Sequence, residues 1–219
     1  MGQIAGSVNT NSMRFGGDPT SPDGAASLIY DREGHRKYLT LGERQAFLKA
    51  AMQRPSDVRT FCLVLAYTGA RLSEVLALTP SRIDPDAGIV VFESLKKRRR
   101  GVFRAVPLPP EVLAELNAVH HLTDRRRVPS AARLRIWTWC RTSAWDRVKS
   151  IMAAAAISGP QACPKGFRHA FAVASLQAGV PINLVRRWLG HARISTTEIY
   201  ADVIGPEEQA IAGRFWATF

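Results

Sequence analysis

The chain has 219 residues, with 30 Lys and Arg against 18 Asp and Glu, a formal net charge of +12 and an apolar share of 46%. That apolar share can build a sizeable core, so a wholly disordered chain is excluded, and no apolar run reaches the ~18 residues of a membrane span. The first twenty residues lack the basic and apolar blocks of a secretory signal, Met1-Gly2 with Ser7 misses the myristoylation spacing, and the three dispersed cysteines, Cys62, Cys140 and Cys163, argue for a reducing, cytoplasmic setting.

Residues 1–38 are rich in Gly, Ser, Asn, Asp and Pro and read as a flexible arm, with a short ordered piece at Ala25–Tyr30; a single domain is expected over 39–219. Thr40-Leu41-Gly42-Glu43 has capping-box spacing and predicts a helix to about Met52. Val58, Phe61, Cys62, Leu65 and Ala66 repeat at helical spacing, giving a buried helix to Tyr67 that ends at Thr68-Gly69. Leu72–Leu78 is a short amphipathic helix. The pattern then turns to strand at Ile89–Phe92 and again at Val102–Leu108, a hairpin with the basic tip Lys96-Lys97-Arg98-Arg99-Arg100-Gly101. Pro110 opens a helix to about His121. Residues 122–142 are basic and give no clear pattern. Helices follow at Ala144–Ile157, Phe167–Gln177 and Pro181–Leu189, then a short one capped by Ser195-Thr196-Thr197 and running through Val203, and a last amphipathic one at about 206–217. The fold class is therefore mainly α with one small β-hairpin or sheet.

The basic charge is clustered. Lys96–Arg104 holds six Lys or Arg in nine residues, and Arg125, Arg126, Arg127, Arg133, Arg135, Arg141, Arg147 and Lys149 follow with a single acid, Asp146, among them. A solvated face usually mixes signs, so this stretch points to a polyanion, first of all nucleic acid; plain solubility charge is the bland alternative. Lys97, Arg98, Arg99, Arg100, Arg104, Arg125, Arg126 and Arg127 are the expected duplex contacts. Trp137, Trp139 and Trp145 lie between these cations, either as platforms for bases or, more simply, as core.

Three segments carry a more specific signal. They are Thr68-Gly69-Ala70-Arg71-Leu72-Ser73-Glu74, the hairpin Glu93-Ser94-Leu95-Lys96-Lys97 with Arg104-Ala105-Val106-Pro107-Leu108, and Lys165-Gly166-Phe167-Arg168-His169-Ala170 continuing through Leu189-Gly190-His191 to Tyr200. In this order, and with nine residues from His191 to Tyr200, they resemble the tyrosine recombinase (phage integrase) family over about residues 40–205. The resemblance implies that family's catalytic-domain fold, of the DNA breaking-rejoining type. It also implies site-specific cleavage and rejoining of double-stranded DNA through a 3′-phosphotyrosyl link, with no metal or nucleotide cofactor. Tyr200 matches the nucleophile, and Arg71 and Arg168 match two arginines whose planar forks can hold non-bridging phosphate oxygens. Lys96, with Lys97 close behind it, matches the hairpin lysine that protonates the leaving 5′-oxygen. His191 matches a donor to the phosphate, Glu74 an acidic partner of the first arginine, and His169 is expected to serve structure.

One position departs from the family pattern. Lys165 stands where a histidine is common, and a charged lysine does not readily accept the proton of Tyr200. The resemblance further implies short family members without a separate N-terminal clamping domain. It implies a homo-oligomer as well, a dimer on one site and a tetramer in synapsis, with accessory DNA-binding proteins as further partners and a C-terminal element passed between protomers; residues 206–219 suit that element and equally an intramolecular core helix. Two rival readings are a non-catalytic DNA-binding paralogue and a type IB topoisomerase-like enzyme. No phosphate-binding loop, zinc spacing or hydrolase elbow is present in the sequence.

Overall fold

The structure, a computed structural model, describes residues 29–94, 101–201 and 212–218. Most of the expected arm, the hairpin tip with Lys96, Lys97, Arg98, Arg99 and Arg100, and much of the expected C-terminal helix lie outside the described residues.

Helix α1 (Leu41–Met52) starts where the capping box predicts. The Thr40 hydroxyl accepts the Glu43 backbone N–H at 3.2 Å, and the Glu43 carboxylate takes the Thr40 N–H at 2.8 Å. Helix α2 (Ser56–Thr68) buries Val58, Phe61, Cys62, Leu65 and Ala66 together with most of its other residues, so it is the central helix and not a surface one. It packs against α1, α4 (Pro110–His120) and α8 (Pro164–Gln177). Helix α3 (Leu72–Leu76) is a single short turn beside it.

A three-stranded antiparallel sheet follows α3, in the order β1 (Ile83–Asp84), β2 (Ile89–Glu93), β3 (Phe103–Pro107). β1 was not anticipated, because a two-residue ladder is too short to show an alternation. In the β2–β3 register Val90 faces Val106 and Phe92 faces Arg104, and all four are buried. Strand alternation thus puts Arg104 on the inner face.

The unclear basic stretch folds into two short helices, α5 (Leu122–Arg127) and α6 (Pro129–Ala132), and a segment that delivers Trp137 to the core. Trp137 is 2% exposed, donates its indole N–H to the Asp57 carbonyl at 2.8 Å and packs edge-on to Phe61. Trp139 and Trp145 are half-buried against the same core, and Arg147 stacks over Trp139 at 4.5 Å. The core reading of these tryptophans is the one the packing bears out.

Helix α7 (Arg141–Ala154) begins three residues earlier than expected, with Cys140 at its cap. Helix α8 buries Phe167, Ala170, Phe171, Ala172 and Val173, and Phe167 meets Phe47 of α1 edge-on at 4.4 Å. Helix α9 (Ile182–Leu189) ends at Gly190 and α10 (Ser195–Glu198) is one turn. Ile194, not Ser195, takes the cap position of α10, and a turn at 199–201 follows instead of a continued helix. Among the described residues no helix is long and apolar enough to cross a membrane.

Trp137 anchors a part of the chain that has little regular structure of its own. Trp137→Ala is expected to lose about 3–5 kcal/mol of unfolding free energy, measured by urea denaturation.

Candidate functional site

The site grows from one buried carboxylate. Glu74 is 2% exposed and sits at the third position of α3. It reaches back to accept the Arg71 backbone N–H at 2.8 Å and the Arg71 Nη1 at 2.8 Å. From β3, Arg104 donates to both of its oxygens, Nη1 at 3.2 Å and Nη2 at 2.7 Å. Burial alone would raise the Glu74 pKa; the bonds and charge of Arg104, followed by those of Arg71, more than offset this and hold it below its ordinary 4.5. Arg104 also donates its Nε–H to the Trp188 carbonyl at 2.7 Å and lies over the Phe92 ring. The expected DNA contact at Arg104 is corrected accordingly: its side chain is 5% exposed and engaged inside the protein.

A second buried arginine ties the rest together. Arg168 of α8 donates to the Gly69 carbonyl at 3.0 Å and to the Leu189 carbonyl at 2.6 Å. Gly69 lies two residues before Arg71 and Leu189 two residues before His191, so one guanidinium fixes both approaches. Gly69 closes α2 at φ 58°, and a Cβ there would come within 2.8 Å of Phe171. Gly190 closes α9 at φ 68°, where a Cβ would press on Arg104 at 3.0 Å. Burial, with Arg71 close by, pushes Arg168 down to about 9, still cationic at neutral pH.

Tyr200 is 4% exposed, follows α10 and lies between two histidines. Its ring stacks on His191 with centroids 6.3 Å apart, and its hydroxyl meets His169 Nδ1 at 3.0 Å. Burial raises the Tyr200 pKa above its ordinary 10.0, against the pull of Arg168 and Arg71. His191 Nδ1 pairs with the hydroxyl of the buried Thr197 at 2.9 Å. Burial first, then Arg168, Arg71 and Arg104, push His191 down to about 3, so its ring is neutral. His191 also borders a cleft of about 160 Å³ with Arg186, Arg187 and Ser94. Arg186 and Arg187 were missed in the sequence because they read as the polar face of an amphipathic helix.

Of the other expected site residues, those among the described ones lie toward the surface. Lys165 is exposed on the first turn of α8. Arg126 and Arg127 are exposed on α5, while Arg125 is turned onto the Leu134 and Arg135 carbonyls. His120 is structural: its Nε2 pairs with the Thr60 hydroxyl at 2.8 Å, and its ring lies edge-on to Trp137. Among the described residues, Asp31, Glu33 and His35 form the one group of potential metal ligands. They lie on an exposed turn where an Asp31 oxygen already accepts the N–H groups of Glu33 and His35.

Comparison with known proteins bears on the family and the fold. The family model described as the phage integrase family matches residues 37–204. The chain is 29% identical over 177 residues to tyrosine recombinase XerA of Thermococcus kodakarensis, covering 76% of this chain and 58% of that protein. It is 32% identical over 165 residues to tyrosine recombinase XerD of Pseudomonas aeruginosa, covering 71% and 53%. The chain thus spans little more than half the length of these relatives. Among solved structures, a XerA recombinase superposes with a TM-score of 0.65 at 24% identity, over 81% of this chain and 64% of that one. The catalytic domain of bacteriophage HP1 integrase superposes with a TM-score of 0.57 at 25% identity, over 81% and 94%. The fold is that of a tyrosine recombinase catalytic domain.

Glu74→Gln keeps the shape of the buried carboxylate but leaves Arg104 opposite a neutral amide. It is expected to lose about 3 kcal/mol of stability at neutral pH. Because the folded pKa of Glu74 lies below its ordinary 4.5, its contribution is complete above that value and is lost as the pH falls through the folded value. Urea unfolding across this acid range is expected to show a drop in the wild type that the Gln variant lacks.

Proposed function

The chain belongs to the phage integrase family, and we propose that it is a site-specific DNA recombinase that cleaves and rejoins double-stranded DNA through a 3′-phosphotyrosyl intermediate on Tyr200. The observation that carries this reading is the buried Arg168, whose two backbone bonds end two residues before Arg71 and two residues before His191, the ring that stacks on Tyr200.

A phenol is a poor nucleophile at neutral pH, and a phosphodiester is a poor electrophile. Fixed positive charge and aimed donors act on both. In this proposal Arg71 and Arg168 hold the non-bridging oxygens, and each fork stabilises the charge that builds on the phosphorane. Loss of either is worth about 100-fold in rate, or ~3 kcal/mol of barrier. His191 donates from its ring: in the tautomer in which Nδ1 accepts from the Thr197 hydroxyl, the ring proton is on Nε2, which then donates to a phosphate oxygen. Lys96, or Lys97 beside it, gives a proton to the leaving 5′-oxygen. Lys165 adds positive charge at the exposed start of α8, and Arg126 and Arg127 on α5 hold the duplex backbone. The steps reverse for rejoining, when the 5′-hydroxyl attacks the phosphotyrosine.

We take the working form to be a homo-oligomer, a dimer on one site and a tetramer in synapsis, with residues of about 206–217 exchanged between protomers and residues 1–38 as an arm. Phe215 and Trp216 are 60% and 62% exposed, which favours a partner surface there.

The protein's own site is to be selected from a library of random duplexes and rebuilt as a nicked suicide substrate. Wild type is expected to become covalently attached to it, and Tyr200→Phe is not; a wild type that binds the selected duplex and forms no adduct sinks the reading. Lys165→Ala is expected to slow strand cleavage while duplex affinity stays within about three-fold, since one exposed charge adds little to a multi-phosphate interface. Equal cleavage rates would make Lys165 a bystander.

A further inference from the structure

Tyr200 must lose a proton as its oxygen attacks phosphorus, and Lys165 offers nowhere to send it. A charged ammonium has three donors and no lone pair. The phenol oxygen instead lies 3.0 Å from His169 Nδ1, with both residues buried. We propose that His169 is the catalytic residue that accepts the Tyr200 proton in strand cleavage and returns it in rejoining. This rests on Tyr200 being the nucleophile.

The direction of the hydrogen bond follows from the strengths of the two groups. His169 Nε2 is buried without a partner in either tautomer, so it does not decide the direction. A phenol is a more acidic donor than an imidazole N–H, and an imidazole lone pair is a more basic acceptor than a phenol oxygen, so donation by Tyr200 to Nδ1 is the stronger arrangement. His169 Nδ1 then presents its lone pair along the line the proton must travel.

The surroundings keep that lone pair available. Burial pushes His169 down to about 4, helped by Lys165 and Arg168 on its own helix and by Lys37 from the segment before α1; Tyr200 and His191 face it from the other side. The ring is therefore neutral at pH 7. A phosphodiester drawn in by Arg71 and Arg168 brings a negative charge that offsets those cations and strengthens the base when the proton must move. The step balances. The Tyr200 O–H bond breaks and its proton passes to Nδ1, the oxygen forms the bond to phosphorus, and the phosphorus–5′-oxygen bond breaks as that oxygen takes a proton from the hairpin lysine. In rejoining each transfer runs backward.

The test uses the full chain and the selected nicked duplex, with single-turnover adduct formation followed against pH. His169→Asn keeps an acceptor for the Tyr200 hydroxyl but no base. Its cleavage is expected to fall about 100-fold with duplex affinity unchanged, and to rise about tenfold per pH unit where wild type is level. His169→Ala is expected to regain cleavage with added imidazole. An Asn variant with the wild-type pH profile, whatever its rate, together with no imidazole rescue of the Ala variant, overturns the proposal. Wild-type adduct formation in that same experiment leaves the recombinase reading standing, whereas a wild type without adduct removes that reading first. A measurement independent of these variants is the imidazole ¹⁵N spectrum without DNA. The His169 Nδ1 resonance is expected to move in Tyr200→Phe, and an unmoved resonance overturns the contact.

Discussion

Glu74 is the point on which the site depends. Its carboxylate accepts from the Arg71 backbone, the Arg71 side chain and both ends of the Arg104 fork. A lone buried carboxylate would be strongly unfavourable, and so would a lone buried guanidinium; each is tolerable because of the other. The arrangement is also unequal. One anion is shared by two cations, so the cluster keeps net positive charge. Arg104 spends its charge inward, and Arg71, with 26% of its side chain exposed, carries the remainder toward solvent. A carboxylate thus works here as a strut that aims a cation, and the sheet is held to α3 by the same strut.

The second tie is made of backbone. Arg168 and Arg104 each end on a carbonyl near the end of α9, Leu189 and Trp188. Helix ends leave carbonyls without partners inside the helix, and two arginines from different elements use them. The loop after Gly190, which carries His191, is thereby fixed from both α8 and β3. The +12 charge divides along these lines. Arg104 and Arg168 are structural at one end and electrostatic at the other, while Arg126, Arg127 and Arg187 remain on the surface.

Much of this was legible in the sequence where a local rule had a single answer. Thr40 with Glu43, Gly69 after α2 and Gly190 after α9 marked their helix ends because capping and positive φ leave few choices. Arg71, Arg168, His191 and Tyr200 were found by motif and spacing, and the fold gathers them. Arg104 was misread because it closes a run of cations, and run composition says nothing about which strand face a residue takes. The signal was present in its two-residue step to Val106, which shares the buried face. His169 was read as structural because its partner lies 31 residues away, and sequence proximity to Arg168 gave no hint of the Tyr200 contact. β1 and the helices of 122–132 were too short for any periodicity to show.

The shifts around Tyr200 share one cause beyond burial. Arg168, His169 and His191 are all pushed toward their deprotonated forms, and each feels the cations beside it. Such crowding of positive charge is costly in a protein built for stability alone, and a diester phosphate placed among these groups relieves it at every member at once. Strengthening in concert is what a transition state with growing charge on the phosphoryl oxygens demands, since only interactions that grow on the way to the transition state speed the chemical step. The neutral histidines fit the same logic. An imidazolium at either position would add to the repulsion before the phosphate arrives, whereas a neutral ring can donate from one nitrogen and accept at the other. In the proposed mechanism the site holds its positive charge in arginines that stay protonated at neutral pH and passes its protons through a histidine, which can take and return them.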